Sequence, residues 1–388
     1  MSVMVTFTLL LGVVGIYLWL EEQKLAGSVF EYAPPILLIF ITSMIFGNLG
    51  ILPHDSEAYA WIKKYLMPFA IFLFMISVNV RAVFKLGQLV TIMVVSGMLS
   101  VTFGFVAATF LFSGQIGLEA WSAIIASYAG AIGGSQNLVA MAEALDASPG
   151  ILGALIAVDS VIGYSFLALL IYFAGYKAKF DGWLRAREGT LDLVQELSSV
   201  VSHKPQPISS GGLAMIAFLG MAVTLACRYM GDVILANFVS TAIVAPIMTL
   251  VLVVTTGLLL SFSPVSRLNE HGTTQVAKIS LYLMMAVLGA GASFEHVWEY
   301  RIFLIYSPVL LMISLISMLL IGRYLRAPMV LVITGLYANL GGTVTNPILA
   351  AAYDRGFVTI ALTMAIFTQI AGMYVPLLLA PVIHAILS

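Results

Sequence analysis

Long apolar stretches that contain almost no charge run through this sequence of 388 residues. A helix that spans a bilayer needs about 20 such residues. Twelve segments meet this length, and they cover residues 2–20, 34–52, 62–80, 88–113, 119–144, 149–175, 210–228, 236–262, 276–294, 303–322, 327–351 and 357–386. The apolar runs are continuous and do not alternate, which indicates helices rather than a β-barrel. The sequence therefore predicts an all-α polytopic membrane protein with about 12 transmembrane helices.

The composition excludes several classes of protein. Charged residues make up 9% of the chain and hydrophobic residues 61%. A soluble chain of this size could not bury so much apolar surface, so a soluble enzyme and a disordered protein are excluded. A net charge of −1 gives no electrostatic footprint for a nucleic-acid partner. The single cysteine, Cys227, and histidines without ligand spacing indicate no metal centre and no cofactor.

One long loop, residues 176–209, separates an N-terminal half, 1–175, from a C-terminal half, 210–388. Cytoplasmic loops are rich in lysine and arginine, and this loop carries Lys177, Lys179, Arg185, Arg187 and Lys204. If all twelve segments cross, its side holds 11 basic residues and the other side 6, but without this loop the count is 6 against 6. We therefore expect a bacterial cytoplasmic (inner) membrane protein, in contact with the lipid bilayer, whose loop 176–209 is cytoplasmic.

A double glycine recurs at the same place in each half. A shift of 208 residues aligns Gly133-Gly134 with Gly341-Gly342, and the flanking residues Ser135 and Asn137 with Thr343 and Thr345. This similarity predicts two structurally similar repeats, which we expect to be inverted, each with a broken, crossing helix at about 119–144 and 327–351. One difficulty stays open, because segment 210–228 separates the two five-helix repeats, and inversion requires an even number of intervening crossings, or none.

The double glycines favour a binding site over simple helix packing. Glycine weakens a helix by about 1 kcal/mol relative to alanine, and Pro347 removes a backbone donor. Interrupted helices at matching positions of two halves indicate a transporter site, whereas packing of small residues alone would not need polar neighbours. The candidate substrate-binding residues are Gly133, Gly134, Gln136, Asn339, Gly341, Gly342, Thr343, Thr345 and Asn346.

Asp159 is the carboxylate that the sequence places deepest in an apolar segment. It lies ten residues after Pro149, which corresponds to about 15 Å of helix and places it near the bilayer midplane. A carboxylate at this depth is a functional hypothesis by default. With Ser135, Asn137 and Ser160 it could bind Na⁺, or it could cycle a proton. The alternative is a structural aspartate that is hydrogen-bonded to the unwound backbone.

The second half has neutral residues where the first half has this carboxylate. Allowing one extra residue, Thr368 takes the position of Asp159 and Gln369 that of Ser160, so we expect these two to contact a solute. Glu143 is a weaker candidate. Asp146 and Asp354 flank helix ends, where aspartates serve as caps or turn residues.

The blocks 133–145 and 339–346, with Asp159 between them, resemble the YjcL-type family of uncharacterised bacterial membrane proteins. That family is grouped with the cation:proton antiporter and anion transporter superfamily, which includes the bile-acid:sodium symporters. The resemblance implies two inverted repeats, a core domain with two crossing broken helices, and a panel or dimerisation domain, and hence a homodimer. It also implies cation-coupled transport, with Asp159 at the Na⁺ or H⁺ site.

We therefore expect a Na⁺- or H⁺-coupled secondary active transporter that moves a small organic solute, anionic or an acidic peptide, by alternating access. Helix N-termini at the breaks favour an anionic group. A cation:proton antiporter without an organic substrate is the alternative. An intramembrane enzyme is disfavoured because the sequence shows neither a nucleophile–base pair nor metal ligands at depth.

Overall fold

The structure is a computed structural model that describes residues 2–23, 30, 35–78, 80, 87–186, 209–238, 244–292 and 298–388. Most of these residues form helices, which are joined by turns and short irregular segments, and no strand occurs among them. Most of the long loop, residues 187–208, lies outside this part of the chain.

The helices follow the apolar segments of the sequence. In the N-terminal half they are α1 (Val3–Glu22), α2 (Pro35–Asn48), α3 (Glu57–Ser77), α4 (Gln88–Phe112), α5 (Trp121–Gly133), α6 (Ser135–Ala144), α7 (Pro149–Ala174) and α8 (Lys177–Leu184). In the C-terminal half they are α9 (Ser210–Phe238), α10 (Val244–Ser261), α11 (Thr273–Ala290), α12 (Phe303–Leu325), α13 (Met329–Tyr353) and α14 (Val358–Leu387).

Eight helices in the described part of the chain are long and apolar enough to cross a membrane. They are α1, α3, α4, α7, α9, α11, α12 and α14, and α2 and α10 are shorter apolar helices. Large apolar side chains on these helices face outward, such as Phe110 and Phe218, each 68% exposed. Such surfaces are suited to lipid rather than water.

The chain forms two compact units, and each unit takes segments from both halves of the sequence. The first unit comprises Met1–Val78, Val139–Ala157 and Lys204–Arg301, and the second comprises Asn79–Leu138, Val158–His203 and Ile302–Ser388. Helices α6 and α7 each continue from one unit into the other.

In the first unit, contacts near the start of α3 indicate the relative directions of α1 and α9. Phe7 of α1 packs against Trp61 near the start of α3, so α1 and α3 run parallel. Arg228, late in α9, donates to the carbonyl of Lys64 at this same end of α3. Since α1 begins where α9 approaches its end, α1 is antiparallel to α9.

The second unit has the same relation between α4 and α12. The Thr109 hydroxyl, late in α4, lies 3.0 Å from the Tyr306 hydroxyl, early in α12. The Ser100 hydroxyl, earlier in α4, lies 3.9 Å from the sulfur of Met318, later in α12. The two helices are therefore antiparallel.

Both double glycines interrupt helices, at the positions that the sequence predicted. Gly134 has φ +85° and ψ 178°, and Gly342 has φ +61° and ψ −158°. This backbone region is open almost only to glycine, because a Cβ atom collides with the neighbouring peptide there. The two bends are therefore a direct consequence of glycine at the second position of each pair.

At the first bend the chain folds back on itself. A Cβ atom added to Gly130 would lie 2.7 Å from Cβ of Leu138. In a straight helix, residues eight apart are separated by about 12 Å along the axis. Helices α5 and α6 thus form a hairpin, which we call the first hairpin.

The second bend has the same shape, because both ends of α13 are held by one turn of α8. The backbone N–H of Met329 donates to the carboxylate of Asp181 at 2.6 Å, and Nζ of Lys177 contacts the carbonyl of Tyr353 at 3.5 Å. A straight helix of this length would separate its ends by about 36 Å. Helix α13 is therefore the second hairpin. The sequence predicted a broken, crossing helix in each half. The crossing shape is wrong, because sharp bends at Gly134 and Gly342 return each segment to the end where it started.

Replacing Gly342 by alanine should lower thermal stability, at a cost of about 1–3 kcal/mol from the disfavoured backbone region. A Cβ atom at this position would meet nothing within 4 Å, so the cost comes from the backbone alone. Gly163→Ala is the control, because that glycine also has open space around it but lies in regular helix, where alanine is favoured. Thermal unfolding in detergent measures both variants, and equal melting temperatures would contradict the strained bend.

Candidate functional site

The two hairpins converge on consecutive residues of α14 in the second unit. The Thr368 hydroxyl donates to the carbonyl of Ala338 in the second hairpin at 2.8 Å. The following residue of α14, Gln369, accepts a hydrogen bond at its backbone carbonyl from Nδ2 of Asn137 in the first hairpin, at 2.9 Å. Residues far apart in the sequence are thus brought together at the middle of one helix.

Glycines permit this close approach. A Cβ atom on Gly372 would lie 2.8 Å from the backbone nitrogen of Gly133 and 2.6 Å from Nδ2 of Asn137. The first hairpin therefore lies directly on the backbone of α14. Small residues at such contacts let helices pack at backbone distance.

All of the site residues predicted from the sequence lie in the second unit. Asn137, Asn339, Asn346 and Thr368 are fully buried, and Gln136 is buried to 8% exposure. The remaining members are partly exposed except for buried Gly133, and they are Gly134, Ser135, Asp159, Ser160, Gly341, Gly342, Thr343, Thr345 and Gln369.

Polar side chains just after each bend satisfy the carbonyl groups just before it. Nε2 of Gln136 donates to the carbonyl of Gly133 at 3.0 Å, and the Thr345 hydroxyl donates to that of Gly341 at 2.6 Å. The carbonyl of Gly133 lies at the C-terminal end of α5, where backbone carbonyls lack a helical partner. The second leg of each hairpin begins at its bend, so its N-terminal N–H groups and positive dipole end lie there.

Asp159 receives a hydroxyl hydrogen bond on each carboxylate oxygen. Ser127 of α5 donates to Oδ2 at 2.6 Å, and Ser307 of α12 donates to Oδ1 at 2.7 Å. The carboxylate therefore ties α7 to the first hairpin and to α12. Oxygen atoms from one carboxylate and two hydroxyls are the hard ligands that Na⁺ accepts, and the same carboxylate can take up a proton.

Sequence reasoning missed both serines. Ser127 lies in the same apolar segment as the first double glycine, and seven residues, or about two helical turns, separate it from Gly134. Ser307 is 148 residues away from Asp159 and carries no local signal. The predicted partners Ser135 and Asn137 lie instead at the bend of the first hairpin.

The weaker candidates have structural roles. Glu143 forms an ion pair with Lys63 at 3.4 Å in the first unit. Asp354 accepts from the backbone N–H of Gly356 at 2.9 Å, and Asp146 occupies a left-handed turn with φ 48°. The prediction of caps and turns at these two aspartates is therefore confirmed. In the part of the chain that the structure describes, no three His, Cys, Asp or Glu residues form a metal-ligating group.

Apolar helices of membrane-spanning length, with two glycine-bent hairpins among them, define a polytopic α-helical membrane protein. The chain belongs to a family described as proteins of unknown function (DUF819), which it matches over residues 8–386. It is similar to an uncharacterised membrane protein, YjcL, of Bacillus subtilis (strain 168). The two are 24% identical over 328 residues, which cover 80% of this chain and 79% of that protein.

These comparisons confirm the resemblance to YjcL-type membrane proteins. They carry no activity with them, because neither description names one. The placement in the cation:proton antiporter and anion transporter superfamily stays a prediction.

Ser127→Ala should destabilise the protein by about 1–3 kcal/mol, because one oxygen of a carboxylate in the membrane interior loses its donor. The same change should cost less in the Asp159→Asn background, where no charge needs the donor. Ser165→Ala is the control. Ser165 lies on α7, the helix that carries Asp159, but it is exposed and donates to the carbonyl of Val161. A double-mutant cycle of melting temperatures gives the coupling, and additive effects of Ser127→Ala and Asp159→Asn would count against it.

Proposed function

We propose that the protein is a secondary active transporter in which a small solute binds at the bends of the two hairpins. The observation that carries this proposal is the contact of both glycine bends with Thr368 and Gln369 of α14. Interrupted helices at matching positions of two halves are the arrangement that transporters use for binding at the bilayer midplane.

The two halves form inverted repeats in this proposal, each with five crossing helices and one hairpin. The antiparallel pairs α1/α9 and α4/α12 support the inversion. An odd number of crossings per half places the second half upside down in the membrane. The earlier difficulty with segment 210–228 then disappears, because α9 belongs to the second repeat and the hairpins do not cross.

The distribution of positive charge supports ten crossings rather than twelve. With both hairpins returning to their starting side, 13 of the 17 basic residues share the side of loop 176–209. Only Lys63, Lys64, Arg228 and Arg301 belong to the other side. Twelve crossings would give 11 against 6. The positive-inside rule therefore favours the hairpins, in a cytoplasmic membrane with the loop inside the cell.

The chemistry of the bends favours an anionic group on the solute. Each second leg begins at a bend, where N–H groups and the positive end of the helix dipole attract negative charge. The partly exposed residues Ser135, Thr343 and Gln369 add neutral polar groups. An organic anion or a small acidic peptide is the solute class that fits.

The coupling ion, Na⁺ or H⁺, binds at Asp159 in this proposal. The carboxylate contacts one leg of the first hairpin through Ser127, so its occupancy can bias the position of that hairpin. The alternative function, a cation:proton antiporter, draws on the same contacts, because hydroxyl groups leave the carboxylate free to exchange protons. A homodimer stays a prediction from the resemblance.

Asp159→Asn should abolish ion-driven uptake in proteoliposomes, because the neutral amide cannot bind and release the coupling ion. The probes are organic anions, namely dicarboxylates, hydroxy acids and acidic dipeptides, tested by charge movement on Na⁺ or pH jumps. Asp146→Asn is the matched control, since this exposed turn residue lies outside the site and asparagine tolerates its left-handed backbone. Exchange of Na⁺ for H⁺ without any solute would favour the antiporter, and full coupling in Asp159→Asn would refute both.

Cysteine labelling tests the ten-crossing topology in a Cys227→Ser background. Cysteines placed at Arg326 and at Gly356, before and after the second hairpin, should react with an impermeant maleimide from the same side of the membrane. A cysteine at Gly114, before the first hairpin, should react from the opposite side. Labelling of positions 326 and 356 from opposite sides would show that α13 crosses.

A further inference from the structure

We propose that the second hairpin holds a second cation, a monovalent ion bound by the amide oxygens of Asn339 and Asn346, separate from Asp159. This inference rests on the proposed function and deepens it. The site would be built from neutral oxygens alone, on either side of the bend at Gly342.

The two amides are fixed in orientation by their own N–H groups. Nδ2 of Asn339 donates to the carbonyls of Val94 at 3.2 Å and Gly335 at 2.9 Å. Nδ2 of Asn346 donates to the carbonyl of Ala361 at 2.9 Å. Turning either amide over would place its oxygen against a carbonyl oxygen, so the positions of both Oδ1 atoms are determined.

Both Oδ1 atoms are buried, and no protein group in the described part of the chain donates to either of them. Both residues are 0% exposed. Leaving a buried acceptor unsatisfied costs about 1–3 kcal/mol, so two in one hairpin require an explanation. A bound cation would be the electrostatic partner that both oxygen atoms lack.

By analogy with the first hairpin, the backbones of the two asparagines lie at a similar distance from the bend, on opposite legs. In the first hairpin, the residues four before and four after the bend, Gly130 and Leu138, are in contact. The corresponding pair in the second hairpin is Ala338 and Asn346, and Asn339 is the neighbour of Ala338. A backbone carbonyl that accepts one hydrogen bond keeps a second lone pair, so carbonyls beside the bend can add further ligands.

The first hairpin carries a buried amide of its own, Asn137, whose Oδ1 also has no donor among the described residues, but it has no amide at the positions of Asn339 and Asn346. The residues that correspond to Asn339 and Asn346 in the first hairpin are Ala131 and Leu138. The same backbone bend therefore forms without any amide at these positions. The bend itself therefore does not need these asparagines; their Nδ2 groups tie the hairpin to α4 and α14, and their Oδ1 atoms remain open to a ligand.

The neutral ligands select a monovalent ion. Oxygen atoms are suitable for hard cations, but Asn339 and Asn346 bring no negative charge to offset a second positive charge at low dielectric. Sodium at this site and a cation at Asp159 would give two coupling ions per cycle.

The experiment measures the stabilisation of purified protein by NaCl relative to choline chloride, without any solute, since a ligand that binds the folded state raises its melting temperature. Asp159→Asn should keep part of the Na⁺-dependent shift. Adding Asn339→Ala or Asn346→Ala to that background should weaken the apparent Na⁺ affinity more than about tenfold. Each variant is compared with itself in choline, so a lower baseline stability does not affect the result.

Ser43→Ala is the matched control, because Oγ of Ser43 is also buried and unpaired but lies on α2, in the first unit. It should leave the Na⁺ response unchanged. The site is overturned if Asp159→Asn alone removes the response, or if both asparagine variants keep it. The assay needs no transport, so Na⁺ binding without solute uptake would reject the proposed function and leave this site standing.

Discussion

Every backbone N–H and C=O group that lies in a bilayer must find a partner within the protein, and the rest of this structure depends on that requirement. Regular helices meet it along most of the chain. At Gly134 and Gly342 the backbone leaves helical geometry, and the side chains of Gln136 and Thr345 donate to the carbonyls of Gly133 and Gly341. The polar residues beside the glycines therefore satisfy backbone hydrogen bonds, and they are also candidates for solute binding.

The halves share a scaffold and differ in chemistry. Both carry a glycine bend, a returning leg and a following long helix, and these features recur at a spacing of 208 residues. The groups that can bind ions do not recur, since Asp159 corresponds to Thr368, and Asn346 to Leu138. A repeated fold thus provides two bends, and the unmatched residues give each bend a different chemical environment.

The sequence alone was sufficient for the all-helical membrane class and for the positions of both breaks, and it singled out Asp159, which accepts hydrogen bonds from two serines. These features depend on local signals, namely apolar run length, glycine pairs and a carboxylate in an apolar segment. The direction of the chain after each bend was not predictable, because it depends on the dihedral angles of Gly134 and Gly342. Ser307 was missed for a different reason, since a partner 148 residues away leaves no trace in local spacing.

Helix α8 holds both ends of the second hairpin through Lys177 and Asp181, which lie one turn apart. A clamp of this kind leaves the hairpin no independent hinge at its base. Because both ends of the hairpin are tied to the same turn of α8, a displacement of α8 would act on both legs together. The part of the sequence that follows α8 is thereby linked, through one short helix, to the hairpin where solute binding is proposed.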